Sequence, residues 1–475
     1  MPMLPGMQPL AMRPIAATLV ASLGLVPCQA LATKFATNCN DAGGGSLRAA
    51  VLAAGEGELV DATALACSKI SLTTGPLIVA QNAVKVDGPG ADQLTIEGAG
   101  ANALLEPGPV FFHNGSGTLE IDHVTITRGN KYLNSDTMHA GGGCISSSGN
   151  LVLTQTVVSD CTMTTGLLSR SRGGAIYANG YVTLTQSRLS NSSANGAIDT
   201  GVPLPTYGGA IFAKGSIHLD HSTLSGNHAL IGGAIYSAFD TGVYSSTISG
   251  NDADQGGAID CRCALQISDS TIANNHARVA GAIELQISNT AAANPFFIRN
   301  STITGNTSDG GFYSAALDLE VPITISNSTI AFNIAPDNTA TGAVYSIADT
   351  LTLQSTIIAE NFPADVEVGF STTVLGANNL SPASRATMPQ GTLTDCPLLG
   401  TLAWNGGPTQ TLALRHTSPA INAGNNLLLL STDQRGAGFP RAFGGVADIG
   451  AWEWQGSNTD DSVFHSGFEP GQCHG

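Results

Sequence analysis

The stretch GGAIFAKGSIHLDHSTLSGN (208–227), followed by GGAIYSAFDTGVYSSTISGN (232–251) and GGAIDCRCALQISDSTIANN (256–275), decides the fold. The copies start at Gly208, Gly232 and Gly256, 24 residues apart, and Ala280 opens a further one at the same interval. Earlier copies begin at 142 and 173, degenerate ones occupy 280–306, 314–333 and 342–361, and the larger gaps are insertions between units. Within a copy, Ile217 and Leu219 alternate with polar residues and Leu224 follows five on. That is the period of two of a strand, not the 3.6 of a helix. So short a unit, with strands between Gly and Asn turns, cannot bury its own apolar side; stacking one unit on the next does so, and each unit becomes one coil. The pattern predicts an all-β, single-stranded right-handed parallel β-helix with a dry interior of Ile, Leu and Val.

Composition agrees. Charged residues are 11% and aromatics 5% of the 475, with 57 glycines, too apolar for a disordered chain and too poor in large side chains for a compact globule. The formal charge of -17 argues against nucleic acid, whose phosphates need Lys and Arg. Acidic polysaccharides would be repelled unless a cation intervened. Residues 1–32 have the form of an export signal: Arg13, the apolar Ile15–Val26, and small residues at Ala30-Leu31-Ala32. The mature chain then begins near Thr33, and a start at Met12 would give a more usual signal length. Pro27 before Cys28 lacks the small residue that lipid attachment needs. No later segment approaches the ~18 apolar residues of a membrane helix, so no transmembrane segment is expected in the mature chain.

Removing Cys28 leaves eight cysteines, an even number that favours disulfides in an exported chain. Proximity pairs Cys39 with Cys67. Cys144 stands where other copies have Ala, and its 17-residue offset to Cys161 equals that from Ala210 to Asn227, which pairs these two within one coil. Cys261 and Cys263 either bridge or are merely buried, and the leftover Cys396 and Cys473 either bridge or leave Cys473 as a free thiol for attachment. An Asn recurs three residues after each ST-hydrophobic step, at Asn227, Asn251, Asn275, Asn306, Asn333 and Asn361. Stacked amides hydrogen-bonded along the column account for it structurally.

The GGAI start and hydrophobic-x-x-Asn end resemble the polymorphic outer-membrane protein repeats of chlamydial surface proteins. NCNDAGGGSLRAAV (38–51), CSKISLTTG (67–75) and VDGPGADQLTIEGAG (86–100) resemble the CSLREA-type region that precedes such helices, with Ala49 where that motif has Glu. NGGPTQTLAL (405–414), SPAINAGN (418–425), TDQRG (432–436) and ADIGAWE (447–453) resemble a choice-of-anchor Q type C-terminal region. The resemblance implies an exported protein, secreted or at the cell surface of a Gram-negative bacterium, acting as a monomeric, adhesin-like binding scaffold for polysaccharide or a surface protein. Chlamydial members end in a membrane β-barrel, but the 114 residues after Asn361 lack the long series of alternating strands that a barrel needs.

A solenoid exposes unpaired edges at both ends and needs caps. Residues 33–70 are expected to form the upper one, with Ser46–Val51 as a short amphipathic helix; 71–397 the β-helix; 398–454 the lower cap; and 455–475 a polar tail. Asp433, Arg435, Arg441, Asp448, Glu453 and His416 are read as groups that fix loop geometry.

The residue after each GGAI Ile should face outward, since that Ile points in and strand side chains alternate. The resulting column runs Tyr177, Phe212, Tyr236, Asp260, Glu284, Asp318, Tyr345. Its aromatics would form a flat strip on which sugar rings stack, and its acids a carboxylate ladder. The plain alternative is strand-surface aromatics and solvated acids. The leading reading is non-catalytic binding of glycan or partner at Tyr177, Phe212, Tyr236 and Tyr345. The competing reading is a polysaccharide lyase or glycoside hydrolase using Asp260, Glu284 and Asp318, carboxylates suited to a retaining pair or to Ca²⁺. No other cofactor is implied. Against catalysis, the middle coils carry few basic residues beyond Lys214 and Arg262, and the chain has no metal-ligand motif, nucleophile elbow or phosphate loop.

Overall fold

The structure is a computed structural model that describes residues 32–99, 108–133, 141–166, 170–199, 201–286, 296–309, 314–336 and 340–456. The export-signal expectation, Cys473 and most of the tail lie outside these residues. From Ala32 onward the described residues form one unit. Among them no helix is long and apolar enough to cross a membrane.

The chain is a right-handed parallel β-helix. Three long sheets, parallel throughout, run its length: sheet A with 13 strands among the described residues, from Thr33–Phe35 to Thr373–Ala377; sheet B with 11, from Lys69–Ser71 to Ile357–Ala359; and sheet C with 11, from Leu77–Val79 to Val366–Val368. One coil shows the order. Ile211–Ala213 lies in sheet C, Ile217–Asp220 in sheet A and Thr223–Ser225 in sheet B; the chain then crosses a shorter fourth face before Gly232 starts the next turn. Strands one coil apart pair without slippage, as in Ile211↔Ile235↔Ile259↔Ile283. Inward Ile, Leu, Val and Ala fill one continuous core from Ala36 to Val366.

The GGAI glycines have separate tasks. Gly208 sits at φ 64, where an L side chain is strained, and a Cβ on Gly209 would run into the Gly233 carbonyl of the next coil. The two corners flanking sheet B are also left-handed. Between A and B stand His123, Gln155, Gln186, His221, Ser245, Asp269, Asn300, Asn327, Ser355 and Asn378, with φ from 44 to 56. Each is followed by a buried Ser, Thr, Val or Asn. Ser222 N–H donates to Ser246 Oγ (3.0 Å), Ser246 N–H to Ser270 Oγ (3.1 Å) and Ser270 N–H to Ser301 Oγ (3.1 Å), a hydroxyl ladder that the sequence reading missed.

At the far corner the asparagines form a ladder. From Asn227 to Asn361, each backbone N–H and side-chain Nδ2 donate to the next Asn Oδ1 at 2.9–3.0 Å. Cys39–Cys67 and Cys144–Cys161 are bonded, and so are Cys261 and Cys263, which the sequence left open.

At the upper end, Leu47–Ala53 is a helix whose N-cap Ser46 Oγ accepts from Ala49 N–H at 3.2 Å, and Leu47, Ala50 and Val51 face the core. The span 33–70 also carries the first strands of sheets A and B. At the other end, residues 398–454, expected beneath the last coil, lie along the outer face of sheet B. The reason is chemical: Ile357 and Ala359 point outward there and are buried against Leu414, Ala420, Ile449 and Trp452. Ala386 and Met388 pack against the end of the main core.

Candidate functional site

Sheet C brings the seven residues of the expected column into one register row, Tyr177↔Phe212↔Tyr236↔Asp260↔Glu284↔Asp318↔Tyr345. Ser146 lies above it and Glu367 below. Its surface is not the one that alternation suggests. The Tyr177, Phe212 and Tyr236 rings are parallel within 4°, with centroids 5.7 and 5.6 Å apart. Coplanar rings side by side need more room than that, so the faces are turned onto one another in an offset stack. Tyr177 is only 1% exposed, beneath Gly141. Tyr207 sets its edge against Phe212 and Tyr236, and the Arg172 guanidinium lies 5.5 Å from the Phe212 centroid. The rings thus stack face to face where a flat strip was expected; Tyr177 is buried, while Phe212 and Tyr236 stay partly exposed.

The acids depart from expectation too. Asp260 is fully buried and Glu284 is 6% exposed; neither oxygen of Asp260 has a hydrogen-bond partner, nor does Glu284 Oε2. Arg262 Nε is 4.0 Å from Asp260 Oδ1, too long for a hydrogen bond. Glu284 Oε1 accepts from Gln286 Nε2. Burial, and then the neighbouring Glu284, push the Asp260 carboxyl up to about 8. Burial followed by Glu284 and Glu320 raises Asp318 to about 7, and burial raises Glu284 against the Gln286 hydrogen bond. The row thus stores protons near neutrality, where a solvated carboxylate ladder would not. Among the described residues it also does not bring three donor atoms within 4.8 Å of one another, so it is no ready cage for Ca²⁺. Tyr345, half-buried below it, is raised by burial and then Asp318.

A concave surface lies elsewhere, on the corner between sheets A and B. A groove of about 550 Å³ is lined by His123, Gln155, Gln186 and His221, one from each of successive coils, with Arg188 and Thr223 from sheet B. Gln155 Nε2 donates to Gln186 Oε1 at 2.8 Å, and His221 Nδ1 lies 2.9 Å from Asp220 Oδ1. Arg188 is exposed and has no ion-pair partner among the described residues.

The same corner continues downward, and there it is filled. Thr409 Oγ1 donates to the Asp269 carbonyl (3.2 Å), Asn300 Nδ2 to that of Thr432 (3.3 Å), Asn327 Nδ2 to that of Asn425 (3.0 Å) and Asn378 Nδ2 to that of Ala423 (3.0 Å). Gln434, fully buried, reaches Ser270, Thr271 and Thr302. The charged residues of 433–453 hold this segment in shape: Arg435 pairs with Asp433 at 2.6 Å and Arg441 with Glu453 at 2.9 Å, both buried. The corner column escaped the sequence reading because its members differ chemically; their shared place just before each Ser/Thr of the ST-hydrophobic step was the available signal.

No family model and no curated protein matches the chain. Among solved structures it is similar to the crystal structure of pectate lyase Pel9A, at 13% identity and a TM-score of 0.36, over 89% of this chain and 97% of that one.

Proposed function

We propose that the chain is an exported binding scaffold that holds an extended, hydroxyl-rich polymer, a glycan, in the groove between sheets A and B. The observation that carries this reading is the open row His123, Gln155, Gln186, His221 with Arg188 beside it. Side-chain amides, imidazoles and a guanidinium repeated at the ~4.8 Å strand spacing give donors and acceptors in series along an elongated ligand. Export rests on the character of residues 1–32, and the motifs resembling polymorphic outer-membrane repeats and a choice-of-anchor region support a place at the bacterial surface or outside the cell. A glycan array with the full chain is expected to return binders. Changing Gln155, Gln186 and Arg188 together to Ala should weaken them at least tenfold, while Phe212→Ala and Tyr236→Ala leave them in place. The reverse pattern would move the seat to sheet C.

A second reading has one observation in its favour. The acids Asp260, Glu284 and Asp318 stand on adjacent coils with carboxyl groups raised by burial, which is how catalytic acids are tuned. It requires purified protein to release reducing or unsaturated ends from a polysaccharide, and Asp260→Asn to abolish that release. Binding without release favours the scaffold.

A further inference from the structure

At the head of the groove, sheet A sets Asp87 opposite Asp122, and His123 takes the corner that follows. A carboxylate oxygen from each Asp and a ring nitrogen of His123 all lie within 4.8 Å of one another. The Asp122 side chain is 5% exposed. Its Oδ2 meets Lys85 Nζ at 2.5 Å, but its Oδ1 is buried with no hydrogen-bond partner. His123 Nδ1 sits 2.8 Å from Asp87 Oδ1. Lys85 is shared further, also reaching Glu120 Oε1 at 2.5 Å, so one ammonium serves Glu120 and Asp122 while Asp122 keeps an orphaned oxygen. A buried carboxylate oxygen without a partner is costly, and here it belongs to a cluster that already contains a nitrogen and a second oxygen donor.

We propose that Asp87, Asp122 and His123 form a binding site for a divalent transition cation of the Zn²⁺ class. Carboxylate oxygen and imidazole nitrogen are donors such ions accept, at about 2.0–2.2 Å. Tetrahedral donors around one such ion lie roughly 3.4 Å apart, so these three, all within 4.8 Å of one another, draw together when they hold it. Three protein ligands leave a further position open, and one of the three, His123, also lines the groove. Lys85 is the rival occupant, a monovalent cation held against Asp122 when the metal is away. The site stands whether or not the groove carries a glycan.

A second His/Asp row provides the control. His228, Asp252, His276 and Asp309 join one another at 2.7–2.9 Å on the fourth face, exposed to solvent. Both oxygens of Asp252 and both ring nitrogens of His276 are paired within the row, and among the described residues it brings no three donor atoms within 4.8 Å of one another.

The test uses the full chain, stripped with EDTA and titrated with ZnCl₂ by calorimetry, with Co²⁺ visible absorption as a second readout. One equivalent should bind with micromolar or tighter affinity. Asp122→Asn and His123→Asn, the latter keeping a residue that tolerates the left-handed corner, should each weaken binding at least tenfold with unchanged circular dichroism. Lys85→Gln, which removes the rival, should tighten it several-fold, and His276→Gln should leave it unchanged. If Asp122→Asn fails to fold, His123→Asn and Lys85→Gln decide. No heat and no Co²⁺ band in the natural chain, binding that survives His123→Asn, or binding lost only with His276→Gln would each overturn the proposal.

Discussion

Asp260 concentrates the tension of sheet C in one side chain: fully buried, without a hydrogen bond, and with its carboxyl raised to about 8 by burial and by Glu284. Since the folded value exceeds that of an exposed carboxyl, the folded chain keeps a proton that the unfolded chain releases. The stabilising contribution is complete below about pH 4 and is lost as pH rises through 8. Unfolding free energies from urea titration at pH 5 and 8.5 should therefore fall on going alkaline, by on the order of 4 kcal/mol for this group, and Asp260→Asn should flatten the slope. Asn275 makes the opposite case. Its Oδ1 accepts from both Asn251 N–H and Nδ2, and its Nδ2 donates to Asn306 Oδ1 and the Ile248 carbonyl. Asn275→Ala orphans buried groups on both neighbours and should cost about 3 kcal/mol or more in denaturant titration.

At the scale of elements, legibility divides by how a position is specified. The coils, the asparagine ladder and Cys144–Cys161 could be read because each is set by spacing along the chain, and stacking turns equal spacing into contact. The residues from Tyr177 to Tyr345 form one register row, yet its surroundings were not legible, because outward on a strand is not the same as exposed: Arg172 and Tyr207, each just ahead of a Gly-Gly pair and five residues before Tyr177 and Phe212, turn their side chains onto Phe212 and Tyr236. Nor could the groove be read, since concavity depends on how far successive corners project. The C-terminal segment adds a testable element. Arg441 donates to the Gly450 and Asp448 carbonyls and to Glu453 Oε2. Arg441→Met would leave Glu453, raised by burial to about 7 even with that arginine present, without its counter-charge. A loss of roughly 3–5 kcal/mol is expected above pH 7, with a smaller loss near pH 5, where the carboxyl is protonated. Thermal melts at the two pH values compare them.

For the molecule as a whole, the segment 398–454 acts as a lateral sheath over coils whose outward positions are apolar or carry short hydroxyl side chains. Ending the chain at Pro397 uncovers Ile357 and Ala359 together with the unsatisfied groups that Gln434 now meets. Such a truncation should self-associate, seen as earlier elution and loss of the monomer peak in size-exclusion chromatography. A monomeric, equally stable truncation would mean that the sheath contributes nothing to solubility.

The asparagine column fixes the pitch but not the length of chain spent on each turn. Its hydrogen-bonded neighbours are separated by 24, 24, 31, 27 and 28 residues, while the bond from each N–H to the next Oδ1 stays at 2.9–3.0 Å. Contour length and axial rise are therefore independent variables. A turn can absorb extra residues without disturbing the turn above or below, so foreign peptides grafted between Asn275 and Asn306 would be displayed from a backbone that does not register their presence.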